Sequence, residues 1–501
     1  MNTVFDTLFA PHSQSDRRFL ILPDAQEISY RQFLERAAQY AHVFRDLGLV
    51  AGDRLAMQVE KSPESLAIYA AAIQSGIVFL PLNTAYTAHE LAYFIENSGA
   101  KLVLCDPANE VDVGAIAKSA GAALLTLSAA GDGSLPEAAK SQKTSFETVP
   151  RGPEDLAAFL YTSGTTGRSK GAMLSHKNLL SNAEMLRDYW QFTGDDVLLH
   201  ALPIFHTHGL FVGTNITLLV GGAMIFMPKF DARQMIAALP KATTMMGVPT
   251  FYTRLLAEDG FTRAATAHMR LFISGSAPLL AETHREFETR TGHRILERYG
   301  MTETNMNTSN PYDGERRAGT VGFPLPGVGV KVCDPETGET LPQGEVGILE
   351  VRGDNVFQGY WQMPDKTREE LREDGFFITG DLAVIDADGY VTIVGRGKDL
   401  IISGGFNIYP KEVELVLDDV DGVLESAVIG VPHPDFGEGV VGVLVADGRF
   451  EIDLPALRDG VSQKLAKFKQ PKHYAILPEL PRNTMGKVQK NALRDQFKDV
   501  F

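Results

Sequence analysis

The sequence predicts an α/β protein with a large N-terminal domain, made of layered α/β sheets plus a β-rich subdomain, and a small C-terminal α+β domain. Three observations carry this. Helix-period and strand-like segments alternate along the first hundred residues. The texture changes to turn-rich, short β-like runs near residues 333–347, and it changes again after Arg396.

Phe33, Ala37, Tyr40, Phe44 and Leu47 recur at helical spacing, and Gly48 is a natural stop. Residues 54–59 read as a strand, 63–76 as a helix and 77–82 as a buried strand. Thr87 and Glu90 have capping-box spacing ahead of another helix, and 101–105 is again strand-like. Such alternation predicts parallel sheets covered by helices. Residues 129–145 are small and polar, a surface connection. The run DPETGETLPQGEVG carries dense turn signals. Toward the C-terminus, 427–431 and 440–445 read as strands and 454–465 as a helix. From Lys464 to Lys498 there are nine Lys/Arg and two acidic residues, a solvated surface or a face that meets polyanions.

With 501 residues, 44% of them apolar, the chain has room for roughly three domain-sized units. The net charge of −16 is not that of a chain built to coat nucleic acid or anionic membrane. Apolar runs such as 77–82 and 223–227 are far shorter than the ~18 residues of a membrane span. The N-terminus lacks a basic segment followed by an apolar one, so no secretory signal is expected. Cys105 and Cys333 alone provide no disulfide framework, which fits a reducing cytoplasm.

The strongest local signal is the run from Tyr161 to Gly171, YTSGTTGRSKG, after the apolar run 156–160. Gly164, Gly167 and Gly171 permit close backbone approach. The hydroxyls of Thr162, Ser163, Thr165 and Thr166 can donate to phosphate oxygens, and Lys170 adds charge. This is not a Walker loop, because Arg168 and Ser169 separate Gly167 from the lysine.

Together with the dispersed segments below, this loop resembles the adenylate-forming superfamily of acyl-CoA synthetases, luciferases and peptide-synthetase adenylation domains. The resemblance spans essentially the whole chain, and Ser169 replaces the usual proline. It implies an AMP-forming acid–CoA ligase using ATP, Mg²⁺ and coenzyme A, with an adenylation domain at 1–396 and a mobile C-terminal domain at 397–501. ISGSAPL (273–279) and ERYGMTE (297–303) resemble the segments that hold adenine and the α-phosphate. The resemblance implies that Tyr299 stacks on the base, that Ser276 and Ala277 line its other side, and that Thr302 meets the α-phosphate. Glu303 would bind Mg²⁺, which needs oxygen ligands, and Glu297 and Arg298 would join the nucleotide set. Read alone, Tyr299 is as readily core as ligand, and Glu303 a surface carboxylate. Asp381, in TGD, would take the ribose hydroxyls, and Arg396 the ribose or phosphate. Lys487, in PRNTMGK, matches the catalytic lysine of adenylation. Acylation of Lys487 by a lysine acyltransferase, reversed by a deacylase, would remove its charge. Lys398 matches the hinge. Gly404, Gly405 and Phe406 match the segment used in thioester formation, although paired glycines are also an ordinary turn.

Within the superfamily the pocket segments LPIFHTHGL (202–210), GVPTFYTR (247–254) and MTETNMNTS (301–309) are similar to those of malonate-activating ligases. That resemblance implies a buried Arg254 paired with the second carboxylate, assisted by Arg270, with His206, Thr207 and Met306 shaping the pocket. Leaving one partner of a buried pair unpaired costs ~3–5 kcal/mol, more than a hundredfold in binding. An added methyl is discriminated by only ~1–3 kcal/mol, so methylmalonate is the expected slower substrate. Ligases for other short-chain or aryl acids are the alternative. His200, His206 and His208 suggest a zinc site, but no third-ligand spacing supports one.

Overall fold

The computed structural model describes all residues except 163–168, 404–405, 449–451, 466 and 484–485. The described residues form two compact units: Met1–Gly329 with Val351–Phe377, and Val330–Glu350 with Ile378–Phe501. The sequence-derived division at 396/397 is therefore not where packing divides the chain. Strands Phe377–Ile385 and Val391–Arg396 share a four-stranded sheet with Gly329–Cys333 and Gly347–Arg352, and that sheet draws the earlier segment to the C-terminal residues.

The first unit holds two sheets. The smaller runs in the order Ala123–Thr126, Leu102–Cys105, Arg54–Gln58, Val78–Pro81, Leu156–Thr162, Lys170–Ser175. All of its pairs are parallel except the last. The larger has six parallel strands, Arg18–Ile21, Ala223–Phe226, Val197–His200, Thr244–Gly247, Leu271–Ser274 and Leu296–Met301, with antiparallel strands at both edges. The inner strands are buried along their whole length, as parallel strands covered on both faces must be.

The helices follow their sequence signals. Helix Tyr30–Asp46 starts with a capping box between Ser29 and Gln32. Helix Pro63–Ser75 is buried from Ser65 onward and ends on left-handed Gly76. The Thr87–Glu90 box forms as expected. One difference lies in 129–145, expected as a plain connection, which contains the helix Ser134–Ala139. Reciprocal hydrogen bonds between Ser134 and Thr126 anchor it, and Leu135 and Ala139 are buried.

The second unit adds a sheet ordered Phe406–Ile408, Ile401–Ser403, Gly437–Ala446, Val423–His433, with His473–Leu477 pairing parallel to Gly437–Ala446. Helices Pro410–Asp418, Leu454–Lys464 and Lys490–Phe497 complete it. The expected strands 427–431 and 440–445 are the centres of a long antiparallel hairpin, and the helix expected at 454–465 is present.

Candidate active site

In the first unit, Thr162 lies opposite Lys170 in an antiparallel pair, so residues 163–169 connect two strand ends. Ser163, Gly164, Thr165 and Thr166 lie outside the described residues. Gly171 is required by packing: a Cβ there would meet the Phe159 ring at 2.2 Å. Strands Leu296–Met301 and Asn305–Ser309 form a hairpin with Thr302 and Glu303 at its tip. Glu303 is buried, and its Oε1 lies 3.2 Å from both the Thr162 Oγ1 and the Tyr360 hydroxyl. The fold thus brings the first threonine of the loop to the expected Mg²⁺ residue. Carboxylate and hydroxyl oxygens are the hard donors that such a cation takes alongside phosphate.

The loop after Leu271–Ser274 carries Ser276 at φ 72°, a left-handed conformation costly for a non-glycine residue. Glu297 helps hold it, accepting from the Leu279 N–H at 3.1 Å, and so acts through the Ser276–Ala277 loop. Ser276 Oγ lies 3.2 Å from His208 Nδ1. Tyr299, on the same strand as Glu297, is half-buried, with its hydroxyl 3.8 Å from Met301 Sδ.

Between Glu297 and Tyr299 sits Arg298, only 3% exposed. Its guanidinium lies over Gly275, where a Cβ would come within 2.4 Å of it. Nε and one terminal nitrogen, Nη2, have no hydrogen-bond partner among the described residues. Burial pushes this arginine down to about 9, so it stays charged at neutral pH. Its charge, after burial itself, helps hold the neighbouring His208 well below the usual histidine range. A buried cation with two unused donors is the chemistry of an anion site.

The expected carboxylate residues are placed differently. Arg254 is exposed. Helix Pro249–Leu256 turns Tyr252, Leu255 and Leu256 inward, and a residue two positions from Tyr252 points roughly the opposite way. Arg270 is committed to a protein carboxylate. Its Nε and Nη2 lie 2.8 and 2.7 Å from the two oxygens of Asp196, and Nη1 donates to the Trp190 carbonyl. Burial opposes the Asp196 charge, but these bonds outweigh it and hold the carboxyl low. Thr207 and Met306 are buried, and the Thr207 Oγ1 has no hydrogen-bond partner among the described residues. His206 is half-buried and accepts from the His208 N–H at 3.2 Å.

At the start of the 202–210 segment, buried Lys61 donates to His200 Nδ1, the His200 carbonyl and the Leu202 carbonyl at 2.8–2.9 Å. His200 Nε2 meets the Gly209 carbonyl at 2.8 Å. These bonds use up His200. No group of three or more His, Cys, Asp or Glu that could hold a metal ion is found among the described residues.

In the second unit, Asp381 is buried and its Oδ1 lies 2.8 Å from Arg396 Nε across neighbouring strands. The Asp381 N–H donates to Thr379 Oγ1, which in turn donates to the Leu349 carbonyl. Lys398 is exposed on the short turn Gly397–Asp399. Gly404 and Gly405 lie outside the described residues. Phe406 is half-exposed and stacks on Phe468, with centroids 4.6 Å apart. The Lys487 N–H donates to Asn483 Oδ1, and its carbonyl accepts from the Asn483 N–H.

Residues 9–361 match the family model for the AMP-binding enzyme, and residues 412–487 match the AMP-binding enzyme C-terminal domain. The chain belongs to the AMP-binding enzyme family. Among solved structures, this AMP-binding enzyme is 57% identical to ATP-bound MatB from Rhodopseudomonas palustris, with all of both chains covered and a TM-score of 0.98. It is 33% identical to a malonate–CoA ligase of Arabidopsis thaliana over 99% of this chain and 89% of that one. It is 34% identical to a sulfoacetate–CoA ligase of Cupriavidus necator over 97% of each. No helix among the described residues is long and apolar enough to cross a membrane.

Sequence reasoning missed three residues that the fold of this AMP-binding enzyme places at the site or at the start of the 202–210 segment: Tyr360, Glu370 and Lys61. Lys61 offered no signal, since a lysine between helix and strand reads as surface. The Lys366–Glu370 spacing of i to i+4 was visible, but its meeting with Lys170 was not.

Proposed function

We propose that this enzyme joins malonate to coenzyme A at the expense of ATP, through a malonyl-adenylate. One malonate carboxylate attacks the α-phosphorus, the bond to the bridging oxygen breaks, and pyrophosphate leaves. The CoA thiolate then attacks the acyl carbon, the carbon–oxygen bond to phosphate breaks, and AMP leaves. Mg²⁺, when bound at Glu303, supplies charge neutralisation for the phosphates. On this reading Thr162, Lys170, Ser276, Ala277, Tyr299 and Thr302 hold the nucleotide, Asp381 and Arg396 the ribose, and Lys487 the reacting carboxylate and α-phosphate. The domain carrying Lys487 turns about Lys398 between the steps, bringing residues 404–406 to the thioester chemistry. The reaction belongs in the cytoplasm.

The observation that carries malonate is Arg298, buried with two unused donors. We assign it, rather than Arg254 or Arg270, as the anchor of the non-reacting carboxylate. A monocarboxylate would leave that guanidinium unpaired in the closed site. Sulfoacetate carries a second anionic group at similar reach, and a homologue acts on it, so it is the second reading. The test is CoA-dependent AMP release across malonate, methylmalonate, sulfoacetate, acetate, octanoate and benzoate. Malonate should lead by more than about a hundredfold over acetate. A preference for acetate or benzoate refutes the assignment. Acylation of Lys487 by a lysine acyltransferase would switch off the first step alone, and full pyrophosphate release by Lys487→Gln would rule that out.

A further inference from the structure

The phosphate-loop lysine already has an anion. Lys170 Nζ lies 3.0 and 3.1 Å from the two oxygens of Glu370 and 4.1 Å from the centroid of the Tyr360 ring. The Tyr360 hydroxyl sits 2.6 Å from Glu370 Oε2 and 3.2 Å from Glu303 Oε1. Tyr360 is fixed there by a bridge to Ala172, two residues beyond the lysine. Glu370 has a second cation on its own helix, Lys366 at 2.9 Å. Lys170 and Glu370 are only 13% and 21% exposed at their side chains, so water screens them little. Burial disfavours the Glu370 charge, but the bonds from Tyr360, Lys366 and Lys170 outweigh it and keep the carboxyl low.

We propose that Glu370 is a built-in stand-in for phosphate, holding Lys170 until a polyphosphate displaces it, and is thereby a positioning residue that sets ATP affinity. The proposal rests on the reading of Lys170 as a phosphate ligand. The exchange leaves no buried charge alone. Lys170 passes from carboxylate to phosphate, and Glu370 keeps Lys366 and the Tyr360 hydroxyl. Held by Glu370, the lysine lies over the ring of the tyrosine whose hydroxyl meets the carboxylate expected to take the metal. The cost is competition, since every nucleotide must first break the Lys170–Glu370 pair.

Removing and strengthening that competitor should act in opposite directions. Titration calorimetry with Mg²⁺–ATP, and separately with Mg²⁺–pyrophosphate, reads both without reference to the acid. Glu370→Gln should tighten both ligands about fivefold and leave the KM for the acid unchanged. Lys366→Met deprives Glu370 of its second cation and should weaken both severalfold. Its side chain is one-third exposed, so this arm does not depend on the buried variant folding. Glu373→Gln removes an equal charge at an exposed position nearby and separates pairing from bulk electrostatics. Unchanged or weaker ATP binding by Glu370→Gln overturns the proposal, as does equal tightening by Glu373→Gln. Failure of the parent protein to bind ATP at all would overturn the proposed function, and this inference with it.

Discussion

Replacing Arg298 by methionine isolates the interaction on which acid selectivity rests. Methionine keeps much of the unbranched stem and removes the charge. With malonate bound, the guanidinium would give two charge-assisted hydrogen bonds from nitrogens that otherwise have no partner among the described residues, each worth about 1.5–3 kcal/mol. Their joint loss, about 3–6 kcal/mol, corresponds to roughly a 150- to 25,000-fold fall in kcat/KM for malonate. Residual turnover of acetate should hold or rise, because no buried cation is then left bare. The ligand-free variant should also gain stability, by up to about 1–4 kcal/mol, since apolar replacement of a buried charge is often favourable. Pyrophosphate release with each acid and thermal unfolding without ligand measure the two effects. Malonate kcat/KM within threefold of the parent would refute the reasoning. So would equal losses with both acids accompanied by a lower Tm, which would make Arg298 a structural residue.

Gly275→Ala places a Cβ within 2.4 Å of the same guanidinium, so malonate KM should rise at least tenfold while ATP binding changes little, as calorimetry would show. Lys61→Met strips three buried acceptors of their donor and should cost about 2–4 kcal/mol in urea unfolding. His176 is buried, its Nδ1 facing the Val4 N–H, and burial lowers it to about 4. The unfolded chain therefore binds this proton first as pH falls from 6.5 to 4. Stability should decline across that window by on the order of 3 kcal/mol from this group, and the part due to His176 should vanish in His176→Gln.

The scaffold was legible because its signals are local. The Thr87–Glu90 box, the helix ending at Gly76 and the buried parallel strands each declare themselves within a few residues. The family was legible because loop and hairpin motifs keep their order along the chain. The acid anchor proposed here differs from the one the sequence suggests, for a physical reason. A sequence shows that Arg254, Arg270 and Arg298 exist, but whether a guanidinium is exposed, paired or bare depends on Asp196 and Gly275, which lie far from it in sequence. Tyr360 and Glu370 were invisible for the same reason, since some two hundred residues separate Glu370 from Lys170.

The second unit borrows residues 330–350 from the middle of the chain, so the polypeptide crosses between units at 329/330, 350/351 and 377/378. During synthesis those twenty-one residues must wait for strands that emerge later before they can be covered. A fragment ending at Arg396 would keep that four-stranded sheet while stripping the unit of its other sheet and its helices. Independent halves would need residues 330–350 joined directly to 378–501 and residues 351–377 returned to the first unit, which no single cut and no circular permutation achieves.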